Sequence, residues 1–290
     1  MRDVSVIVPT RALVERADLI RRAIRTILEQ EGVSVVPIVV VNGTRGDPQL
    51  LDELRENTLL KLVYRNQANL PAALKAGREI VTTQFVTSLD DDDELLPGAL
   101  LARVSALEAN PGWQAVVSNG MIRNGASQVL KFTNVNAIRQ DPVRAMMRRN
   151  WLLPGAWLCR TEAIGPEVFA SMPEFLECTY LGYWLATRTR LGFLETPTLV
   201  WGKDTPASAS KSLEYVLGQA AAHRQLLQLA LPSDVKINLR RRVGGSCHSA
   251  SRACLERGQY AAAWAWHLRA LREFGGFRFL YYTLRLLRPY

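Results

Sequence analysis

The sequence predicts an α/β fold: a Rossmann-like, mostly parallel central sheet flanked by helices, continued by a helical extension at the C-terminus. Three observations predict it. Through residue 100, β-branched runs alternate with segments of helical period. Nearly every run ends in a loop rich in Pro, Gly, Asn or Asp. From Leu213 onward the pattern is helical and strongly basic.

The elements follow in order. Val4 to Val8, "VSVIV", is a β-branched run ended by Pro9 and reads as a buried strand. Leu19, Ile20, Ala23, Ile24, Ile27 and Leu28 then recur at helical spacing up to Gly32. "VVPIVVV" (35–41) is a second buried strand, stopped by "NGTRGDP". Leu50, Leu51 and Leu54 mark a helix, and "KLVY" (61–64) a third strand. Pro71 suits a helix first turn, with Ala73, Leu74, Gly77, Ile80 and Val81 on one face. "FVTSL" (85–89) is a fourth strand. Strands and helices alternating at this spacing make a doubly wound layer, whose ligands bind beyond the carboxyl ends of the strands. Residues 113–212 are less regular, with a strand in "WQAVVSNG" and tryptophans at 151, 157, 184 and 201. Residues 248–272 read as a helical hairpin broken at Gly258. The predicted organisation is a 1–212 domain, split into halves at 1–112 and 113–212, followed by a basic helical region (213–290).

Composition bounds the function. The chain has 290 residues, 48% of them hydrophobic, enough for a substantial core. The net charge is +9, and from residue 240 onward ten arginines face two glutamates, a local net of +8. Cys159, Cys178, Cys247 and Cys254 form no CxxC pair, and three histidines are too few to complete a zinc site with them. They read as reduced thiols of a cytoplasmic protein. No window is apolar for the roughly 18 residues that a membrane span needs. Nucleic acid is a poor fit, because no recognition motif accompanies the basic residues.

The chemistry concentrates in "LDDDDELLPGAL" (89–100). Four like charges in a row repel unless something binds them. Carboxylate oxygens are the ligands that Mg²⁺ and Mn²⁺ prefer, and such ions use one or two protein carboxylates plus substrate phosphate and water. Residues two apart in an extended turn point the same way, so Asp90 and Asp92 share one task. Asp91 then faces a sugar or ribose hydroxyl, and Asp93 and Glu94 cap a helix beginning near Pro97. A solvated, acidic helix start would show the same run.

With "VSVIVPTR" (4–11), "AIRTILEQ" (23–30), "IVVVNGT" (38–44) and "NLPAALKAGR" (69–78), this stretch resembles a family 2 glycosyltransferase with the GT-A fold, over about a third of the chain. The resemblance implies inverting transfer of a sugar from a nucleotide-diphosphate donor, assisted by Mg²⁺ or Mn²⁺. It places Asp92 on the metal and Asp90 on the metal or the nucleotide. Asn42 meets the base, which favours a UDP-sugar because an amide matches the uracil edge with both a donor and an acceptor. Pro9, Thr10 and Arg11 form the first nucleotide-facing loop, and Asn69 and Lys75 the segment that closes over the donor.

The second half departs from the family pattern. Inverting transfer needs a carboxylate to take the acceptor's proton. The family supplies it from an acidic pair before a helix, where this chain has "PEFLECTYLGYWLATRTRLG" (173–192). Glu177 is the first choice and Glu174 the second, although Cys178 replaces the expected aspartate. In "VWGKDTPASASKS" (200–212), Thr205 stands where the family has a histidine. Asp204 beside it is a candidate metal ligand, and Ser208, Ser210 and Lys211 are candidates for the leaving diphosphate. The four tryptophans suit an acceptor cleft or the core equally.

The tail "FGGFRFLYYTLRLLRPY" mixes aromatic and aliphatic residues with arginine and has no acid. It suits the surface of an anionic membrane or a helix packed on the domain with its arginines in water. The implied acceptor is a glycan or lipid-linked glycan of cell-surface polysaccharide synthesis, met in the cytoplasm or at the inner face of the membrane. The alternative is a nucleotide-binding, membrane-associated module that keeps the fold without catalysis. A nucleotidyltransferase would need a glycine-rich phosphate loop, which "PTRALVERAD" lacks.

Overall fold

The computed structural model describes residues 2–125, 127–202 and 211–287. Two compact units divide them. The first takes the described residues through 172 and from 181 to 202; the second takes 173–180 and those from 211 onward. The stretch carrying Glu174 and Glu177 thus groups with the helical region rather than with residues 113–172.

The first unit is built on a mixed sheet in the order Lys61–Arg65, Ser34–Asn42, Asp3–Thr10, Phe85–Ser88, Trp157–Arg160, Ala115–Asn124, Leu191–Gly202 and Glu94–Leu95, with Ser127–Leu130 beside Ala115–Asn124. Its parallel half comprises β1 (Asp3–Thr10), β2 (Ser34–Asn42), β3 (Lys61–Arg65) and β4 (Phe85–Ser88). These are the four strands expected from the β-branched runs. The other half comprises β5 (Glu94–Leu95), β6 (Ala115–Asn124), β7 (Ser127–Leu130), β8 (Trp157–Arg160) and β9 (Leu191–Gly202). β8 runs antiparallel to both β4 and β6, while β6 and β9 are parallel.

The helices connecting the parallel strands are α1 (Ala17–Leu28), α2 (Pro48–Glu56) and α3 (Leu70–Glu79); α4 (Ala99–Ala109) follows β5, and the shorter α5 (Asn136–Gln140), α6 (Pro142–Arg148) and α7 (Pro166–Ala170) precede α8 (Glu177–Arg188). Ile20, Ala23, Ile24 and Ile27 of α1 and Leu100, Val104 and Leu107 of α4 bury one face each against sheet residues such as Val6, Val8 and Leu199. Gly77 lets α3 lie close to the sheet, since a Cβ there would sit 2.4 Å from Ile7 Cγ2.

Trp151 and Trp157 are 1% and 2% exposed, which settles their role as core packing rather than cleft lining. Trp151 donates to the Pro142 carbonyl at 2.8 Å and meets Phe193 edge-on. A second burial exception is Arg103 of α4, which is fully buried. It donates to Thr198 Oγ1 at 3.0 Å and to the Trp157 carbonyl, and burial pushes its pKa down to about 9.

In the second unit, α9 (Leu213–Leu226), α10 (Ser233–Leu255) and α11 (Tyr260–Arg272) pack together, with α10 touching both of the others. The expected break at Gly258 is present, with φ at 70° in the left-handed region that glycine tolerates. A 3-10 turn (Gly276–Phe279) and a short helix, α12 (Tyr282–Leu287), complete the described chain. All four cysteines are free thiols.

Candidate active site

Because β1, β2 and β4 run parallel, their carboxyl ends deliver Thr10, Asn42 and the acidic loop 90–93 to one edge of the sheet. Leu89 N donates to the Ile7 carbonyl at 2.9 Å, which fixes the acidic loop against the end of β1.

Asp91 is 5% exposed and is held by Thr10, the last residue of β1, and Arg16, just ahead of α1. Thr10 Oγ1 donates to its Oδ2 at 2.6 Å, and Arg16 Nε lies 3.2 and 3.3 Å from its two oxygens. Asp91 therefore braces the loop between β1 and α1. The same guanidinium reaches Asp92 Oδ2 at 3.3 Å. Burial alone would lower the Arg16 pKa. The hydrogen bond and charge of Asp91, with those of Asp92, outweigh it and hold the group above its ordinary value. Arg16 escaped the sequence reading because its partners lie 75 residues away and a lone arginine ahead of a helix reads as solvated.

Asp93 is fully buried. Its Oδ1 accepts from Gly202 N at 2.9 Å, and its Oδ2 has no partner among the described residues. Burial, then the charges of Asp90 and Asp92, pushes this carboxyl well above the usual carboxylate range. Glu94 sits in β5 opposite Val200, paired with Arg22 at 2.8 Å and with Arg123. Neither residue caps a helix: α4 starts at Ala99 behind Gly98, whose positive φ forms the entry, and no acid stands in its first turn. The tertiary bonds to β9, Arg22 and Arg123 draw both carboxyls away from the helix end.

Asn42 is buried, and its Oδ1 accepts from Asn69 N at 2.8 Å. Asn69 in turn caps α3 by accepting from Ala72 N at 2.8 Å. The two asparagines thus chain the end of β2 to the start of α3. Pro9 lies buried in β1, and Arg11 is exposed just beyond it. Lys75 pairs with Glu79 one turn on in α3, at 2.6 Å.

In the second unit, Glu177 opens α8 (Glu177–Arg188). Phe175, with φ at 71°, donates its N–H to Glu177 Oε1 at 2.9 Å. The Phe175 ring meets Tyr215 edge-on at 5.6 Å. Burial raises the Glu177 pKa, partly opposed by the backbone bonds from Glu177 and Phe175 and reinforced by Glu174. Lys211 is exposed, immediately before the Ser212 cap of α9. Asp204, Thr205, Ser208 and Ser210 lie outside the described residues.

A divalent cation fits this donor set in one manner. Among the described residues no three His, Cys, Asp or Glu side chains group as a metal cluster. Asp91 is held by Thr10 and Arg16, and Asp93 is fully buried against Gly202 with its pKa raised by burial. Asp90 and Asp92 are half-buried hard oxygen donors of the same loop, Asp92 also facing the Arg16 guanidinium. Two carboxylates suit Mg²⁺ or Mn²⁺ completed by substrate phosphate and water.

A mixed sheet with an acidic loop at the carboxyl edge of its parallel half defines the GT-A class of folds. Residues 5–155, just over half of the chain, match glycosyl transferase family 2, and the chain belongs to that family. It is 31% identical over 139 residues to the GalNAc(5)-diNAcBac-PP-undecaprenol beta-1,3-glucosyltransferase of Campylobacter jejuni. The match covers 46% of this chain and 43% of that enzyme, so it spans less than half of the relative's length. S. aureus TarS 1–349 in complex with UDP superposes with a TM-score of 0.56 at 11% identity, covering 100% of this chain and 93% of that one. TarS 1–349 in complex with UDP-GlcNAc gives 0.52 at 13% identity, covering 85% and 72%. At such identity the likeness is one of fold.

Proposed function

We propose that this protein transfers a sugar from a nucleotide-diphosphate donor, a UDP-sugar, to a hydroxyl of a glycan or lipid-linked glycan in bacterial surface-polysaccharide synthesis. The observation that carries the proposal is the acidic loop 90–93, tied through Asp91 to Thr10 and Arg16 at the ligand-binding edge of a family 2 sheet. The Campylobacter relative, whose name specifies a lipid-linked acceptor, and TarS, solved with UDP and UDP-GlcNAc, support the choice of acceptor and donor.

In this reading the acceptor oxygen attacks the anomeric carbon as the bond to the diphosphate breaks, with inversion. Glu177 takes the acceptor's proton, and the raised pKa suits a base working nearer neutrality than a solvated glutamate. Pro9, Thr10, Arg11, Asn42 and Asn69 shape the nucleotide pocket. Mg²⁺ or Mn²⁺ held by Asp92 and Asp90 would supply positive charge to the diphosphate oxygens. Asp204 and Lys211 are further candidates on the diphosphate side. The basic C-terminal region is proposed to meet the membrane that carries the acceptor.

One observation favours a reading without catalysis. Glu177 accepts the Phe175 N–H, so it also serves as a local brace. Donor consumption in the presence of acceptor separates the two readings.

The test is a calorimetric titration with UDP, GDP and dTDP, each with Mn²⁺ and with a chelator, on wild type and Asp92→Ala. Metal-dependent binding of UDP, lost in the variant, is expected. No binding of any nucleotide would overturn the transferase reading.

A further inference from the structure

The last described segment, residues 276–287, is two-faced, and the wrong face for a soluble helix points outward. Its inner side is well anchored. Phe279 stacks on His248 at 4.5 Å, Tyr282 meets His248 edge-on at 4.6 Å, and Thr283 Oγ1 is 2.8 Å from His267 Nε2. Leu286 packs with Cys254, Leu255 and Ala263. The outer side carries Phe277, Leu280, Tyr281, Leu284 and Leu287, at 77%, 59%, 83%, 53% and 63% exposure. Five large apolar side chains within eleven residues, all turned to solvent at spacings of three and one, form a continuous stripe. Scattered exposed hydrophobic residues need no explanation, but a contiguous stripe does.

Positive charge borders the stripe. Arg278 and Arg285 lie within the segment, and it contains no acid. The nearest acid, Glu273, is already paired with Arg224. Beside the segment lies a cleft of about 410 Å³ lined by Arg241, Arg242, Arg278, His223, Ser246 and Ser249, with no carboxylate among the described residues of its wall. Arg278 belongs to both features: its guanidinium donates to the Arg241 carbonyl at 2.6 Å and lies over the Phe279 ring. Three arginines with hydroxyls around one cleft are the donor set that a phosphate group needs, since guanidinium offers paired N–H groups to its oxygens.

We infer that the second unit docks on an anionic phospholipid bilayer. The stripe Phe277–Leu280–Tyr281–Leu284–Leu287 enters the interface, and the Arg241–Arg242–Arg278 cleft receives a lipid phosphate headgroup. The apolar stripe and the acid-free arginine cleft choose this occupant together. A protein partner would match the stripe alone and a free phosphate the cleft alone, whereas an anionic bilayer matches both. The inference deepens the proposed membrane contact of the transferase, but its evidence lies wholly within the second unit.

The experiment is vesicle flotation of the full chain with neutral phosphatidylcholine and with a mixture of about one-third phosphatidylglycerol, repeated at high salt. Two variants accompany wild type: Phe277→Ser/Leu284→Ser on the outward stripe, and Arg241→Gln/Arg242→Gln in the cleft. Wild type is expected to prefer the anionic vesicles by roughly tenfold or more, and each variant to lose most of that preference. Separate titrations with inorganic phosphate and sedimentation over a range of protein concentrations form the other arms. Equal binding to both vesicle types would overturn the headgroup assignment. Phosphate binding without vesicle binding would make the cleft a free-anion site instead. Concentration-dependent dimerisation abolished by Phe277→Ser/Leu284→Ser would make the stripe an interface between copies, and absence of binding in every arm would also sink the inference. UDP binding by the same variants separates these outcomes from failure of the transferase reading, because that titration does not involve the second unit's stripe.

Discussion

The guanidinium of Arg16 grips both oxygens of Asp91, at 3.2 and 3.3 Å from Nε, and joins two loops that are far apart in sequence. The side chains are 12% and 7% exposed, so solvent screens the pair little. Removing one partner of a buried ion pair leaves an uncompensated charge, which typically costs about 3–5 kcal/mol. Arg16→Ala should therefore shift the urea unfolding midpoint well below wild type and weaken nucleotide binding. Arg16→Ala/Asp91→Asn should recover part of the stability, because the stranded charge is gone. If the double variant is no more stable than Arg16→Ala, the pair is not what holds these loops.

Glu177→Gln should lower kcat by about 10²- to 10⁴-fold, the usual contribution of a general base, while UDP affinity stays unchanged. Glu174→Gln should change kcat little. Burial raises the Glu177 pKa above its ordinary 4.5, and a base works only when deprotonated. The wild-type rate should accordingly fall on the acid side at a pH above that of a solvated glutamate. A pH–rate profile checks this, and the limb should vanish from the residual activity of Glu177→Gln. A variant within a few-fold of wild type would return the residue to its bracing role with Phe175.

The parallel half of the sheet was legible because Val and Ile runs such as "VSVIV" and "VVPIVVV" are the physical requirement of strands buried on both faces. The antiparallel half was less so. "WLCR" of β8 is short and has no alternation, and β5 is only Glu94–Leu95, so pairing with distant strands defines both. Similarly, the run of four aspartates was legible as a strand-end acidic loop, but the partners of each carboxyl were not. Asp91 and Asp93 are spent on Thr10, Arg16 and Gly202, contacts spanning 75 to 109 residues that no local pattern encodes. Trp151 and Trp157 could not be assigned to core or cleft from sequence, since aromatic residues serve both.

Two glycines should fail for different reasons. Gly77→Ala would place Cβ 2.4 Å from Ile7 Cγ2 and 3.2 Å from Val40 Cγ2. Overpacking of this kind costs about 1–3 kcal/mol, enough to override alanine's advantage in a helix of about 1 kcal/mol. Gly98 has open space around it but φ at 71°, so Gly98→Ala should cost only the left-handed strain of about 1–2 kcal/mol. Gly98→Asn should be milder, because asparagine tolerates that region, whereas Gly77→Asn should be worse than Gly77→Ala. Unfolding midpoints of the four variants test the ordering. Equal losses for Gly77→Ala and Gly98→Asn would contradict the packing argument.

The second unit should be acid-labile through its histidines. His267 is fully buried, with Nε2 on Thr283 and Nδ1 without a partner among the described residues. Burial lowers its pKa below the ordinary 6.5. His248 is lowered by burial first and then by Arg252, His267 and Arg278, and His223 by burial and Arg242. All three are therefore neutral in the fold under conditions where the unfolded chain already binds protons. Stability is fully present above about pH 6.5 and falls as pH drops from there toward the lowered folded values, because the unfolded state takes up more protons. The slope is at most about 1.4 kcal/mol per pH unit for each histidine. Urea unfolding followed through the second unit should show a lower midpoint at pH 5.5 than at pH 7.5, before most carboxylates titrate. His267→Gln keeps a hydrogen-bonding side chain opposite Thr283 without a titrating group, and should reduce the slope. An unchanged slope in this variant and in His248→Asn would mean that the acid sensitivity arises elsewhere.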